Sequence, residues 1–235
     1  MYPLTRNMPK PLLPVAGKPT IEYLVGALKR LPELDGIYVV TNARFLTHFE
    51  EWRRGYGVEE EIHCYSDGTT SDETKLGAIG DMAFLIERVP VEDDLLVVAG
   101  DNLFSFDLSE FVQFYRAHGT SIAVHDVKNR ELIKRYSEVR LNSEWRVVDF
   151  VEKPTNPQGT LAAICLYLFP QTGLTMVHRY LEEGNNPDQP GRFIQWLHKR
   201  AEVFGWVFTE GWHDIGDLEA YERANREFKK QDQPT

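Results

Sequence analysis

At 235 residues the chain can bury a sizeable core, and its length fits one large α/β domain better than two independent ones. A formal net charge of -10 argues against a basic stripe for nucleic acid, although a metal ion and a few lysines can reverse the sign locally for a small phosphorylated ligand. The only cysteines, Cys64 and Cys165, fall in no metal-binding spacing, and no apolar run is long enough to span a bilayer, so the expectation is a cytoplasmic protein with reduced thiols and no membrane partner.

Residues 2–19 contain five prolines and read as an ordered loop, neither helix interior nor central strand, with positive charge from Arg6, Lys10 and Lys18. Thr20 is placed to cap a helix whose Ile21, Leu24, Val25, Leu28 and Leu31 recur at helical spacing. A strand at 36–41 follows, then a helix capped by Asn42 and reaching about Tyr56, then a strand at 61–65 and a polar, turn-rich loop at 66–72. The next helix opens with Gly77 and Gly80 in its first turns, which either lets a flat ring approach the backbone or serves close packing.

The run Leu95, Leu96, Val97, Val98, Ala99 reads as a strand covered on both faces, ending in Gly100, Asp101 and Asn102. Ligands in open α/β sheets bind beyond the carboxyl ends of such strands, so Asp101 either stands at a site edge or, with Asn102, makes the turn toward a helix near Leu108. A helix to His118 and a strand at 121–125 complete an alternating pattern that predicts βαβ units and parallel pairing. Beyond that the rhythm changes. Residues 136–141 and 146–152 predict an antiparallel pair, 162–169 another strand, 174–183 and 192–200 helices, 203–208 a strand and 218–229 a closing helix, with a fraying tail from Gln231.

The residues that suggest chemistry are Asp101 and Asp214 in glycine-flanked turns, and Lys10 and Lys153 beside prolines. Mg²⁺ takes one or two protein carboxylates and completes its shell with water and substrate phosphates, which suits two aspartates distant in sequence. The seven histidines have no metal spacing and no Gly-x-Ser-x-Gly elbow is present, which disfavours zinc chemistry and acyl transfer. His213 reads as an orienting or packing residue, and Cys64 as a small strand residue.

Tyr2-Pro3-Leu4-Thr5 with Met8-Pro9-Lys10-Pro11-Leu12-Leu13-Pro14-Val15, then Ala99-Gly100-Asp101-Asn102, Glu152-Lys153-Pro154 and Trp212-His213-Asp214-Ile215-Gly216, resemble the sugar-1-phosphate nucleotidyltransferase family. The chain is most similar to glucose-1-phosphate thymidylyltransferase-type enzymes without a carboxyl-terminal β-helix, and the motifs run in order over nearly its whole length. The resemblance implies an α/β fold, with a Rossmann-like mixed, mostly parallel sheet and helices on both faces in a single domain. It also implies Mg²⁺, a nucleoside triphosphate (dTTP or UTP favoured) and a sugar 1-phosphate, and it is compatible with a homo-oligomer. By position it implies that Asp101 and Asp214 hold the metal, that Lys10 contacts the triphosphate, and that Glu152 and Lys153 meet the sugar hydroxyls and sugar phosphate. Lys10, Asp101 and Lys153 are thereby the catalytic candidates. Lys75, Leu76 and Gly77 match the segment whose backbone approaches the nucleobase, and Tyr167 stands beside the sugar. Cys165 departs from the family's glycine near the sugar.

Family members open with a strand and a glycine-rich turn ending in Gly-Thr-Arg, neither of which is in this sequence, and Met1 stands where a residue follows that arginine. The chain therefore reads as starting at an internal methionine, and it is expected to be marginal or aggregation-prone through exposed strand edges and to show little or no nucleotidyl transfer. A non-catalytic nucleotide or sugar-phosphate binding subunit is the alternative reading. A glycosyltransferase ranks last, because Asp101-Asn102-Leu103 lacks a second carboxylate.

Overall fold

The computed structural model describes residue 1 and residues 3–58, 61–71, 73–89 and 91–231. Tyr2 of the opening motif, Asp72 of the polar loop and the tail beyond Gln231 lie outside the described residues. In chain order the elements are β1 (Pro14–Val15), β2 (Lys18–Pro19), α1 (Thr20–Leu28), β3 (Ile37–Thr41), α2 (Leu46–Tyr56), β4 (Ile62–Ser66), α3 (Ala78–Arg88), β5 (Leu95–Val98), β6 (Asn102–Phe104) and α4 (Leu108–His118). They continue with β7 (Ser121–Asp126), α5 (Arg130–Ile133), β8 (Ser137–Leu141), β9 (Val147–Glu152), β10 (Leu161–Phe169), α6 (Thr175–Glu182), α7 (Pro190–Leu197), β11 (Phe204–Phe208), β12 (Trp212–Asp214) and α8 (Leu218–Gln231). No helix among the described residues is long and apolar enough to cross a membrane.

The chain divides into two compact units. The first comprises the segments up to Glu73, Ala99–Leu108 and the stretch from Glu210 on; the second comprises Thr74–Val98 and Ser109–Thr209.

In the first unit the prolines confine the opening segment to two 3₁₀ turns, Leu4–Arg6 and Lys10–Leu12, and to the antiparallel β1–β2 ribbon. Thr20 does not cap α1. It is the first helical residue, and its buried hydroxyl donates to the Leu13 carbonyl at 3.0 Å, tying the helix start to the proline loop. Asn42 stands four residues ahead of α2, where its side-chain oxygen accepts from the Phe45 N–H at 3.1 Å and closes the lead-in turn. Across α2, β3 and β4 pair in parallel, and Ile21 and Val25 of α1 close over Phe49 of α2 and Ile62 of β4. A second core joins Val15, Leu103, Ile215 and Ala224 around the antiparallel β6–β12 pair.

The second unit is built on a mixed sheet in the order β11-β7-β10-β8-β9, with β5 also paired to β10. β11 and β7 run parallel, and the remaining ladders are antiparallel. Alternation sends Ile122 and Val124 of β7 and Ala163, Tyr167 and Phe169 of β10 to one face, where they pack with α3, α6 and α7. The other face meets α4, with the Phe111 and Trp206 rings 5.6 Å apart.

The expectation of a fully covered strand at Leu95–Val98 is corrected here, because all four residues of β5 are only partly buried. The strand with that burial is β10, of which only Leu161 and Cys165 are even partly exposed. Both runs are apolar. β10 has β7 on one side and β5 and β8 on the other, whereas among the described residues β5 has β10 as its sole ladder partner.

Candidate functional site

In the first unit, the proline loop and the β6–β12 pair bring Lys10, Asp101 and Asp214 together. A Cβ at Gly100 would stand 2.7 Å from Cγ of Pro11, so only glycine lets the proline ring seat there. That close approach sets Lys10 beside Asp101, with Nζ 3.5 Å from Oδ2. The Asp101 carbonyl accepts from the Ile215 N–H at 2.8 Å, and Asp214 is the register partner of Asn102, so the ladder carries the second aspartate to the residue next to the first. Gly216 keeps the space beside Asp214 open, since a Cβ there would lie 3.2 Å from Oδ2.

Asn102, read from the sequence as a turn former and as the last residue of the Ala99-Gly100-Asp101-Asn102 motif, supports Asp101 directly. It is buried, its amide nitrogen donates to Asp101 Oδ1 at 3.3 Å, and its amide oxygen accepts from the Trp212 indole at 2.7 Å. Asn102 therefore orients Asp101 and ties it to β12. His213 packs as expected: Nε2 lies 3.2 Å from the Glu227 carboxylate, the ring meets Phe228, and burial holds its pKa below the ordinary histidine value. No group of three or more His, Cys, Asp or Glu side chains capable of holding a metal occurs among the described residues. Asp101 and Asp214, carried by adjacent positions of one ladder, supply the one or two carboxylates that suit a hard cation taking its other ligands from phosphate and water, and do not make a closed protein cage.

In the second unit, Glu152 and Lys153 end β9. The Glu152 N–H donates to the Gln195 side-chain oxygen of α7 at 2.8 Å, and its carboxylate accepts from the Ser137 hydroxyl across the β8–β9 ladder. Lys153 has left-handed backbone, φ +47°, held by its N–H to the Tyr136 carbonyl at 2.9 Å and by the buried Pro154 behind it. Its ammonium is exposed, with no hydrogen-bond or ion-pair partner among the described residues. Tyr167 lies inside the core, its hydroxyl beside Cys165 and near Glu152; burial first, then those neighbours, pushes its pKa well up.

The Lys75-Leu76-Gly77 turn lies against residues 187–188 of the same unit. Lys75 Nζ is 2.9 Å from the Asp188 carboxylate, and the bare face of Gly77 meets the backbone of Pro187 and Asp188. Of the two readings offered for these glycines, close packing describes Gly77, while Gly80 accommodates Leu76, whose Cβ would lie 2.8 Å from an added Cβ. Ser137 and Gln195 carried no recognisable local signal, because cross-strand register and helix docking select them.

A family model described as nucleotidyl transferase matches residues 1–231. The bifunctional protein GlmU of Methanocaldococcus jannaschii is 28% identical over 220 residues, 92% of this chain and 48% of that protein. A glucose-1-phosphate adenylyltransferase of Rhodopirellula baltica is 26% identical over 257 residues, 97% of this chain and 57% of its own length. The chain thus spans about half the length of the curated relatives it matches. Among solved structures, a Bacillus anthracis protein assigned as a glucose-1-phosphate thymidylyltransferase, in complex with a sucrose, superposes with a TM-score of 0.81 at 22% identity, covering 100% of this chain and 92% of that one.

Proposed function

The chain belongs to the nucleotidyl transferase family, and from that premise we propose that it moves a nucleotidyl group from a nucleoside triphosphate to a sugar 1-phosphate, releasing pyrophosphate. The observation that carries this reading is the placement of Lys10 3.5 Å from Asp101, with Asp214 on the facing strand of the same ladder. A sugar phosphate is already an anion near neutral pH and needs no general base; alignment and charge neutralisation are what the protein must supply. Lys10 would neutralise the leaving pyrophosphate, and the exposed Lys153 ammonium would steady the attacking phosphate. Asn102 would keep the Asp101 carboxylate oriented through the reaction. Bound to Asp101 and Asp214, Mg²⁺ would supply the charge neutralisation at the phosphates that the lysines alone do not.

Glu152 would accept a sugar hydroxyl, with Tyr167 behind it, and Lys75, Leu76 and Gly77 would border the nucleobase. Glucose 1-phosphate with dTTP or UTP is the proposed substrate pair. The named relatives differ in nucleotide, adenylyl in one and thymidylyl in another, so the base is the finer part of the proposal. The test is pyrophosphate release with a panel of triphosphates and sugar 1-phosphates. Asp101→Asn and Asp214→Asn should abolish turnover, and unchanged turnover in both rejects the assignment. A clear preference for GTP and mannose 1-phosphate overturns the substrate choice, and triphosphate binding without turnover supports a binding subunit instead.

A further inference from the structure

Glu152 is held more tightly than a residue at an exposed strand end requires. Its N–H is bonded to Gln195, 2.8 Å away, and its Oε2 accepts from Ser137, a residue only 6% exposed and directly opposite on β8. The first turn of α7 closes over the same oxygen. A Cβ at Gly191 would stand 2.9 Å from Cδ of Glu152 and closer still to Oε2 and to the Ser137 hydroxyl. Oε1 has no hydrogen-bond partner among the described residues.

We infer that Ser137, Gly191 and Gln195 are positioning residues that occupy one oxygen of Glu152 and present only the other, so that the carboxylate accepts a single sugar hydroxyl instead of gripping a vicinal pair. This rests on the proposed role of Glu152. A free carboxylate has two oxygens and can accept from two neighbouring hydroxyls at once. Here Ser137 fills Oε2, and the first turn of α7 lies so close that even a methyl at Gly191 would overlap that oxygen. Gln195 fixes the backbone from which the side chain extends, so the choice of oxygen is set by the sheet and by α7 before any ligand arrives. The left-handed backbone of Lys153 then turns the chain away immediately after the carboxylate.

The test measures binding of glucose 1-phosphate and its 2-, 3- and 4-deoxy analogues by titration calorimetry, with Mg²⁺ and the α,β-methylene analogue of dTTP present. The unsubstituted chain should lose about tenfold or more in affinity on removal of one hydroxyl and little on removal of the others, as one hydrogen bond to a charged group implies. Ser137→Ala and Gly191→Ala should each weaken glucose 1-phosphate by a similar factor and blur the discrimination among the deoxy sugars, while Ser137→Thr, which keeps the hydroxyl, restores both. The methyl of Gly191→Ala would meet the ends of two side chains and no backbone, so this variant supplies the reading should Ser137→Ala fail to fold, with the melting temperature of each variant compared with the parent's. No binding by the parent, or no loss in Glu152→Ala, overturns the role of Glu152 and this inference with it. Loss in Glu152→Ala with Gly191→Ala and Ser137→Ala unchanged overturns the inference alone, as does equal loss for two adjacent hydroxyls in the parent.

Discussion

Gly77→Ala should be among the most damaging single-methyl additions to this chain. Gly77 sits at φ +79° and ψ 164°, a region open essentially to glycine alone, and alanine there costs about 1 to 3 kcal/mol from conformation. The new methyl would also meet backbone, 2.5 Å from Cα of Asp188 and 2.6 Å from the Pro187 carbonyl oxygen. Backbone cannot rotate aside as a side chain can, so the 187–188 segment must move. With it goes the bond from the Ile79 N–H to the Pro187 carbonyl, 2.8 Å long, a further loss of about 1 kcal/mol. The exposed Lys75–Asp188 pair adds little. The sum is about 2 to 4 kcal/mol, a large part of the roughly 5 to 15 kcal/mol that stabilises a typical domain. Gly184, in the same unit, is the control: its φ is +75° and nothing lies within 4 Å of an added Cβ. Gly184→Ala should cost only the conformational part, about 1 to 2 kcal/mol. Urea denaturation of both variants at unchanged m-value decides the matter. A Gly77→Ala loss no larger than that of Gly184→Ala would refute the idea that the 187–188 backbone is fixed against this turn.

Tyr115 donates to Asp94 at 2.6 Å, and burial first, then Asp94, raises its pKa above the ordinary phenol value. A raised pKa favours the folded state below about pH 10 and loses that contribution as pH climbs toward the folded value, so the melting temperature should fall in alkali and Tyr115→Phe should flatten the fall. His198 is shifted the other way, its pKa lowered first by burial and then by Lys199. Its contribution is present above about pH 6.5 and lost as pH falls, so His198→Gln should shallow the stability decline from about pH 7 to 5; an identical profile would count against a neutral native histidine. Burial lifts the Cys64 thiol to about 11, with Glu50 adding and Arg53 opposing. In a Cys165→Ser variant, maleimide at pH 8 should therefore modify Cys64 slowly until urea unfolds the chain, and native labelling at the rate of a free thiol would contradict the burial.

Much of the architecture was legible locally. Helical and alternating periodicity located most of the helices and strands, because a side chain's face follows from the backbone repeat alone. The prolines of the opening segment excluded helix and central strand for an equally local reason, the lost N–H and fixed φ. The motifs around Lys10, Asp101, Glu152, Lys153 and Asp214 identified the family, and the match over residues 1–231 agrees. The capping role expected of Thr20 does not occur, since the helix starts at Thr20 itself after Pro19 and its hydroxyl donates to a Leu13 carbonyl that only the folded proline loop supplies.

What the tertiary structure decided is everything that depends on a second segment. Leu95–Val98 and Leu161–Phe169 are both apolar runs, yet only the strand paired along both edges is deeply buried, because burial is a property of neighbours and not of composition. Ser137 and Gln195 are ordinary polar residues in the sequence, and each becomes the partner of Glu152 through ladder register or helix docking. Gly77, Gly100 and Gly191 are glycines for one reason, contact with Pro187 and Asp188, with Pro11 and with Glu152 respectively. No reading of the flanking residues could name those contacts, since a hydrogen atom in place of a side chain records only that something must come close, and the fold alone determines what does.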